Sequence, residues 1–300
     1  MLRPVVVGID GSPESLAAAH WAAREALLRG RPLRIVHAWE GMAGDDATLP
    51  ELQVPRDRAR RTLRQAMDQL IECHPHLDIS ADVIARPAPV GLLAEAEAAE
   101  MLVLGSRGLS GVGGFLVGSV AQAVVAHARR PVVLVRTGTA AEGHYVPSPD
   151  GRPSTLTPHG PVILGIDPSH PCGELVEFAF DEAARRHAPL QAVHAWHFPR
   201  ASGYAPGPMD ATARAESGAE ASRALVSALG PWREKFPAVE VHELVAEGRP
   251  VQQLLEAAHG AGLLVLGRKV RPGSMGPHIG RVVHALMHHA GCPVAIVSHE

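Results

Sequence analysis

Short apolar runs alternate with helix-like stretches along the first half of the chain. The runs that predict strands are Val5–Ile9, Leu33–Ala38, Ile79–Ala85, Met101–Gly105 and Val132–Val135. The stretches that predict helices are Pro13–Leu28, Arg56–Glu72, Val90–Ala99 and Ser119–Ala128. Short strands that are apolar throughout, with helices between them, are typical of a parallel sheet covered on both faces. The pattern therefore predicts a five-stranded, doubly wound α/β domain.

The second half of the chain repeats the first. Pro4–Asp10 recurs as Pro161–Asp167, and Val36–Trp39 recurs as Val193–Trp196, each pair 157 positions apart. Later matched segments, such as 102–105 and 264–267, are 162 positions apart. A repeat this long indicates the duplication of a whole domain and not a solenoid. We predict two Rossmann-like α/β domains in tandem, at residues 1–137 and 160–300, joined by a linker at 138–159 that is rich in Gly, Pro, Ser and Thr.

Composition narrows the class of protein. The chain has 300 residues, 46% of them hydrophobic, which is enough for two cores. A formal charge of −3 gives no case for a nucleic-acid or anionic-membrane partner. Three cysteines argue against a disulfide framework, and no apolar run approaches the roughly 18 residues of a membrane span. These features predict a cytoplasmic protein.

The most promising chemistry follows the first and fourth strands, because ligands of open parallel sheets bind at the carboxyl ends of strands. The first strand leads into Asp10, and six of the fifteen residues at 105–119 are glycine. Glycine lets the main chain approach a phosphate, and a helix that begins at Ser119 would offer unpaired N–H groups to that anion. On glycine content alone, a surface loop with Ser119 as a plain N-cap is an equal alternative.

The spacing Gly105-x2-Gly108-x9-Gly118-Ser119 resembles the ATP-binding motif of the universal stress protein family, G-x2-G-x9-G-(S/T). Other family features are a first strand that ends in Gly-Ile-Asp, a second that ends in Val-His-Ala, and the segment 127–135, HARRPVVLV. The resemblance covers nearly all of both halves. It implies an adenine nucleotide alpha hydrolase-like fold and bound ATP, accompanied by Mg²⁺.

The resemblance also implies a role for eleven residues of the first half. Gly8, Ile9 and Asp10 would line the adenosine, Ala38 would contact adenine through its main chain, Gly105, Ser106, Arg107 and Gly108 would border the ribose and phosphates, and Gly118, Ser119 and Val120 would cradle the phosphates.

The second half departs from this motif. It keeps the counterparts Gly165, Asp167, Gly267 and Gly280 as candidate ligand-binding residues. However, Val270 replaces Gly108 and Arg281 replaces Ser119, and a β-branched side chain tolerates positive φ poorly. Arg268, Lys269 and Arg271 make the loop basic. This half is either an altered anion site or a degenerate one.

Three functions are compatible with these features. The first is a stress-response module that changes its conformation or partner affinity when it holds ATP. The second is a slow ATPase or another nucleotide-processing enzyme, although no nucleophile is evident beside the glycine-rich loop. The third is a nucleotide-free scaffold. The spacing of His284 and His288 would suit zinc, but no third ligand has convincing spacing, so no metal site is predicted. His37 and His194 are interpreted as structural.

Assembly follows from the same resemblance. Members of the family pair through their fifth strands, so Val132–Val135 and Val294–Val297 are expected to pair within this chain. Such pairing would make an intrachain pseudo-dimer, which could associate further into a homodimer.

Overall fold

The computed structural model describes residues 2–39, 50–107, 117–137, 159–170, 172–198, 208–270 and 278–300. Within these ranges the first half contains β1 Val5–Gly8, α1 Pro13–Arg29, β2 Leu33–Trp39, α2 Pro50–Cys73, β3 Ile79–Ala85, α3 Ala88–Ala98, β4 Met101–Gly105, α4 Ser119–His127 and β5 Val132–Val135. The second half contains β6 Val162–Gly165, α5 Gly173–Arg186, β7 Leu190–Trp196, α6 Pro208–Lys235, β8 Val241–Glu247, α7 Pro250–Ala257, β9 Leu263–Lys269, α8 Arg281–His289 and β10 Val294–His299. The predicted linker lies outside the described residues apart from position 159.

The predicted elements of the first half are observed, most of them within two residues of the expected bounds. The exception is α2, which begins at Pro50 and not near Arg56. Proline suits the first position of a helix because its φ is already helical and its missing N–H would have no partner there. α1 begins at Pro13, as expected, and its N-cap is Ser12, whose hydroxyl accepts from the amide of Ser15 at 3.2 Å.

The strands form one sheet in the order β3-β2-β1-β4-β5-β10-β9-β6-β7-β8. Within each half every pairing is parallel, and the two halves have mirrored strand orders. The predicted fold class, two tandem doubly wound α/β domains, is confirmed. In both halves the strand order reverses beside the first strand, where β1 lies between β2 and β4, and β6 between β7 and β9.

The fifth strands join the halves, as predicted. β5 and β10 are antiparallel, with Val294 opposite Leu134 and Ile296 opposite Val132. The pairing makes a single ten-stranded sheet from two five-stranded ones. Each of these strands therefore gains a partner on the side that would otherwise be an open edge.

Two hydrophobic layers cover the two faces of this sheet. Neighbouring residues of β1 illustrate the division, since Val5 and Val7 belong to the layer that contains α1, whereas Val6 belongs to the layer that contains Leu92 of α3. Strand side chains alternate between faces, so a strand that is apolar at every position must be covered on both sides.

A buried ionic cluster joins α1 to α5 across the two halves. We call Glu25, Arg29, Glu182 and Arg186 the Glu–Arg quartet. Arg186 Nη2 lies 2.6 Å from Glu25 Oε2, and Arg29 contacts Glu182 in the reciprocal pair. All four side chains are at most 4% exposed. Burial alone would raise the pKa of Glu25, but Arg186 and Arg29 outweigh it and lower that pKa, so the carboxylate stays ionised.

The quartet is repeated in sequence as well as in space. Glu25 and Arg29 are four residues apart on α1, and Glu182 and Arg186 are four apart on α5, each matched pair separated by the same 157 positions as the first strands. The aromatic neighbours are matched too. Arg186 lies over the ring of Trp21 at 5.8 Å, and Arg29 lies over Phe178 at 5.7 Å.

Candidate functional site

A cavity of 240 Å³ opens at the carboxyl ends of β1, β2 and β4, where the strand order reverses. We call it the first cavity. It is lined by Gly8, Ile9, Asp10, Ser15, Ala38, Ala88, Leu92, Leu104, Gly105, Arg107, Gly118, Ser119, Val120 and Ala121. Nine of the eleven residues assigned to the first half by the family motif are in this lining. Ser106 is not, and Gly108 lies outside the described residues.

Asp10 and Ser12 form the turn between β1 and α1. The Oδ1 atom of Asp10 accepts from the amide of Ser12 at 2.9 Å and from its hydroxyl at 2.6 Å. The amide of Asp10 in turn faces the hydroxyl of Ser15 at 3.3 Å. These bonds hold the carboxylate at the cavity wall. Asp10 thus serves as a turn residue and lines the cavity at the same time.

Gly105 is needed by the packing of the helix that follows β1. A Cβ atom at this position would lie 2.8 Å from the main-chain carbon of Glu14 and 2.9 Å from the amide nitrogen of Ser15. Main-chain atoms of a helix cannot move aside as the end of a side chain can. The glycine therefore lets the first turn of α1 approach β4 closely, and this approach brings Ser15 to the wall of the cavity.

Ser106 has a structural position, not one on the cavity wall. Its side chain is buried, its amide donates to the carbonyl of Val135 at 2.8 Å, and its carbonyl accepts from the amide of Gly118 at 2.9 Å. The second bond ties the residue after β4 to the residue that precedes α4. Ser106 thereby fixes the distance between the end of β4 and the start of α4.

The suggestion that Ser119 caps α4 is wrong by one residue. Gly118 is the N-cap, in an extended conformation, and Ser119 is the first residue of the helix. Because a glycine N-cap has no side chain, it leaves the N–H groups of the first helical turn without the usual side-chain acceptor. Ser119 is exposed and lies beside those groups on the cavity wall. We call the main chain of residues 117–120 the cradle.

The cation at the rim of the cavity is already paired. Arg107 Nη2 lies 3.1 Å from Glu14 Oε1, and the hydroxyl of Thr137 donates to the same oxygen at 3.3 Å. The guanidinium side chain is 29% exposed, so it faces solvent and the cavity as well as its partner. A ligand phosphate here would share Arg107 with Glu14.

The second half has a larger cavity, of 630 Å³, at the equivalent place. We call it the second cavity. It is lined by Gly165, Ile166, Asp167, His170, Cys172, Leu175, Val193, His194, Ala195, Pro250, Leu254, Leu266, Gly267, Lys269, Val282, Val283 and His299. The lining contains three of the four predicted residues of this half. Gly280 is absent from it and is instead the N-cap of α8.

The difference in size begins at the first helix of each half. Pro13, which starts α1, corresponds to His170, but α5 begins only at Gly173. The residue before α5, Cys172, is its N-cap, and the sulfur accepts from the amide of Leu175 at 3.4 Å. Burial raises the pKa of the Cys172 thiol.

Asp167 is paired with His170 at 3.2 Å. Partial burial would raise the pKa of Asp167, but the hydrogen bonds from His170 and Ser169 outweigh it and lower that pKa.

Arg268 and Lys269, expected in a basic loop, lie in β9, and this segment is less basic toward its cavity than its sequence suggests. Arg268, the counterpart of Ser106, is buried and donates to the carbonyl of Ala128 in the other half. Burial lowers the pKa of Arg268. Lys269 is exposed and lines the second cavity, whereas Arg271 lies outside the described residues. Arg281, at the first position of α8, is exposed but is not part of the lining.

Two histidines interpreted as structural lie where expected, at matching places on β2 and β7. The Nδ1 atom of His194 is 3.2 Å from the carbonyl oxygen of Ile166, the residue after β6. Burial lowers the pKa of His37, although the carbonyl of Ile9 and the charge of Asp10 oppose this shift. In the described ranges, His, Cys, Asp and Glu side chains form no group of three that could hold a metal ion.

Several features of the structure were not predicted from the sequence. The cavity wall contributed by α3, with Ala88 and Leu92, and the Glu–Arg quartet depend on how elements meet in space. The quartet had a sequence signal, namely the Glu-x3-Arg spacing repeated 157 positions apart.

None of the helices in the described ranges combines the length and apolar character that crossing a bilayer requires.

The fold and the two cavities define a tandem α/β protein with one ligand-sized opening per repeat. The family model described as "Universal stress protein family" matches residues 1–136 and 159–298. Universal stress protein Rv1996 of Mycobacterium tuberculosis is 33% identical over 316 residues, which cover 97% of this chain and 94% of that protein. Universal stress protein Rv2005c of the same organism is 34% identical over 304 residues, 97% and 96% of the two chains. This chain belongs to the universal stress protein family, as the motif predicted.

Solved structures show the same fold over the full length. A universal stress protein from Archaeoglobus fulgidus superposes with a TM-score of 0.68 at 16% identity, covering 99% of this chain and 98% of that one. A protein of unknown function from Pseudomonas aeruginosa superposes with a TM-score of 0.62 at 15% identity, covering 99% and 92%.

Proposed function

We propose that this chain is a cytoplasmic regulatory module that binds ATP in the first cavity and changes its conformation or partner affinity with occupancy. The observation that carries the proposal is the convergence of nine motif residues, from separate segments, on one cavity at the point where the strand order reverses. Such points are where doubly wound sheets bind nucleotides. We further propose that the two functional units are residues 1–137 and 160–300.

The electrostatics of the first cavity favour an anion. The N-terminal turns of α1 and α4 both contribute to its wall, through Ser15 and through Ser119 with Val120. Each helix brings N–H groups and the positive end of its dipole toward the same space. Arg107 adds a guanidinium group at the rim, which a phosphate would share with Glu14. Apolar side chains of the wall, Leu92 and Leu104 among them, suit a planar base.

The residues present also fit a divalent cation that accompanies a triphosphate. Magnesium in nucleotide sites is usually held by one or two carboxylates together with phosphate oxygens. Asp10 brings a carboxylate to the wall, held by Ser12. Asp10 would therefore contribute the protein oxygen, and the cation would supply charge neutralisation for the phosphates.

We propose that the second cavity binds ATP weakly or not at all. Its first helix begins later, its Asp167 is engaged by His170, and Arg281 replaces the short hydroxyl side chain of Ser119. Together these changes start the first helix later in the repeat, engage the carboxylate with a histidine and remove one hydroxyl from the wall that would face a triphosphate.

Titration of the full chain with Mg-ATP tests the proposal, and the repeat provides a matched control. Ala38 and Ala195 occupy equivalent strand ends and line the first and second cavities respectively. We expect binding of about one ATP per chain, abolished in Ala38→Leu and retained in Ala195→Leu, because added methylenes fill only the altered cavity. Thermal unfolding without ligand checks that both variants fold.

Two results would contradict this function. Absence of ATP binding by the parent protein would favour the nucleotide-free scaffold, and loss of binding in Ala195→Leu alone would move the site to the second half. Phosphate release measured on the same samples tests the enzyme alternative. Sustained release by the parent that disappears in Ala38→Leu would make the protein an ATPase.

A further inference from the structure

The cradle of the first half is hydrogen-bonded to a side chain of the second half. The amide of Val117 donates to the Nδ1 atom of His288, on α8, at 3.1 Å. Both residues are buried, at 5% and 7% exposure. Val117 directly precedes Gly118, the N-cap of α4. The bond therefore acts on the main chain immediately before the helix terminus that lines the first cavity.

The direction of this bond fixes the form of the ring. A backbone amide can only donate, so Nδ1 of His288 must present a lone pair to Val117. The other bonds of this segment come from the first half itself. Gln122 Nε2 donates to the carbonyl of Val117 at 3.1 Å, and the amide of Gly118 donates to Ser106 at 2.9 Å. His288 thus connects the cradle to the second half.

The position of His288 is itself fixed by the first half. Arg136, just after β5, donates through Nη2 to the carbonyl of Met287 at 2.8 Å and also to the carbonyl of His288. These carbonyls lie at the C-terminal end of α8, where a cation is favoured by the helix dipole. The first half therefore holds His288 at two points, its ring and its main-chain carbonyl.

The contact has no reciprocal in the other direction. In the repeat, Ala126 occupies the position of His288, and Ile279 occupies that of Val117. An alanine side chain has no acceptor to offer an amide. The second half therefore supports the cradle of the first half, whereas Ala126 cannot give Ile279 an equivalent bond.

We propose that His288 is a positioning residue for the nucleotide site of the first half, and that the second half sets the affinity of that site through this residue. The inference rests on the proposed function. Its physical basis is that the main-chain N–H groups of the cradle bind an anion well only if they are already oriented toward it. By reciprocity, bound ATP also strengthens the contact between Val117 and α8.

The test compares His288→Leu with His288→Asn in the full chain. Asparagine places its side-chain oxygen close to the position of Nδ1 and keeps the acceptor, whereas leucine fills similar space without one. We expect His288→Leu to weaken Mg-ATP binding about tenfold and His288→Asn to stay within about twofold of the parent, in line with the loss of one buried hydrogen bond. The exposed neighbour His289, changed in the same two ways, is the control.

Amide exchange at Val117, followed by NMR, reports on the contact without ATP. We expect exchange at least about tenfold faster in His288→Leu and near the parent rate in His288→Asn. If the parent binds ATP and both His288 variants weaken binding equally, or neither does, the positioning role is refuted while the site stands. If the parent binds no ATP, the proposed function fails instead. Should His288→Leu not fold, loss of affinity in His288→Asn would by itself overturn the inference.

Discussion

The two cavities occupy equivalent places in the two halves, yet they are built differently. The first has 240 Å³ and is bordered by the early first turn of α1, whereas the second has 630 Å³ and faces a helix that begins later in the repeat. The contact between α1 and α5, which joins the halves, has instead kept its likeness, down to matched ion pairs and aromatic rings. Duplication has thus preserved this helix contact and let the ligand-binding ends diverge.

The largest effect is expected where the halves are alike. Glu25→Gln and Glu182→Gln should each lower the free energy of unfolding by about 3–5 kcal/mol, because each leaves buried arginines without a full counter-charge. The two losses should be similar if the quartet is as symmetric in energy as in geometry. Urea unfolding of the full chain measures both.

The control for the quartet is Glu177→Gln. Glu177 pairs with Lys235 at 2.5 Å, but both side chains are about half exposed. Water screens such a pair, so its loss should change the unfolding free energy by less than about 1 kcal/mol. Equal losses of unfolding free energy for Glu25→Gln and Glu177→Gln would mean that burial does not strengthen the ion pairs of the quartet.

A smaller loss of stability is expected when the matched glycines of the two cavities are changed to alanine. Gly105→Ala puts a methyl group against the main chain of α1, whereas Gly267→Ala meets only the ends of side chains, His299 Nε2 at 2.9 Å and Leu175 Cδ2 at 3.0 Å. We expect Gly105→Ala to lower the unfolding free energy by about 1–3 kcal/mol and Gly267→Ala by less than about 1 kcal/mol.

The measurement for this pair is thermal unfolding of both alanine variants beside the parent. Comparable melting points for Gly105→Ala and Gly267→Ala would show that α1 shifts as easily as a side chain does. Mg-ATP titration of Gly105→Ala adds a second readout, since displacement of Ser15 would alter the wall of the first cavity.

The smallest expected effect is a loss of folding stability when the pH is lowered. In the first half, the rings of His20 and His74 lie 6.3 Å apart, whereas Glu177 holds the position of His20 in the second half. Burial, and then Arg24, lower the pKa of both histidines from 6.5. Below the unfolded pKa, the unfolded chain binds protons that the folded chain resists, so stability should fall as pH decreases through about 6.5.

Urea unfolding at about pH 7.5 and pH 5.5 tests this expectation. His74→Gln should reduce the loss of stability on acidification, and the exposed His76→Gln should not. An unchanged acid loss in His74→Gln would place the sensitivity in other groups, and an equal gain from His76→Gln would make it non-specific.

Local signals in the sequence predicted most of the fold. Apolar runs predicted the strands, and the start of α1 at Pro13 was predicted correctly, because these features depend on neighbouring residues alone. The start of α4 at Ser119 was predicted correctly, but the N-cap role suggested for Ser119 was wrong, since the sequence does not distinguish a glycine N-cap from a serine N-cap. The bond from Val117 to His288 spans 171 positions, and such a contact follows only from the docking of the halves.

The junction between β5 and β10 has a further consequence. In an assembly of two identical chains, every substitution appears twice and an interface must remain self-complementary. Once both copies share a polypeptide, each can change separately. Arg268 of the second half donates to the carbonyl of Ala128 in the first half, whereas its counterpart in the first half is the small residue Ser106. Covalent fusion thus allows one half to specialise in binding a ligand and the other to specialise in supporting that half.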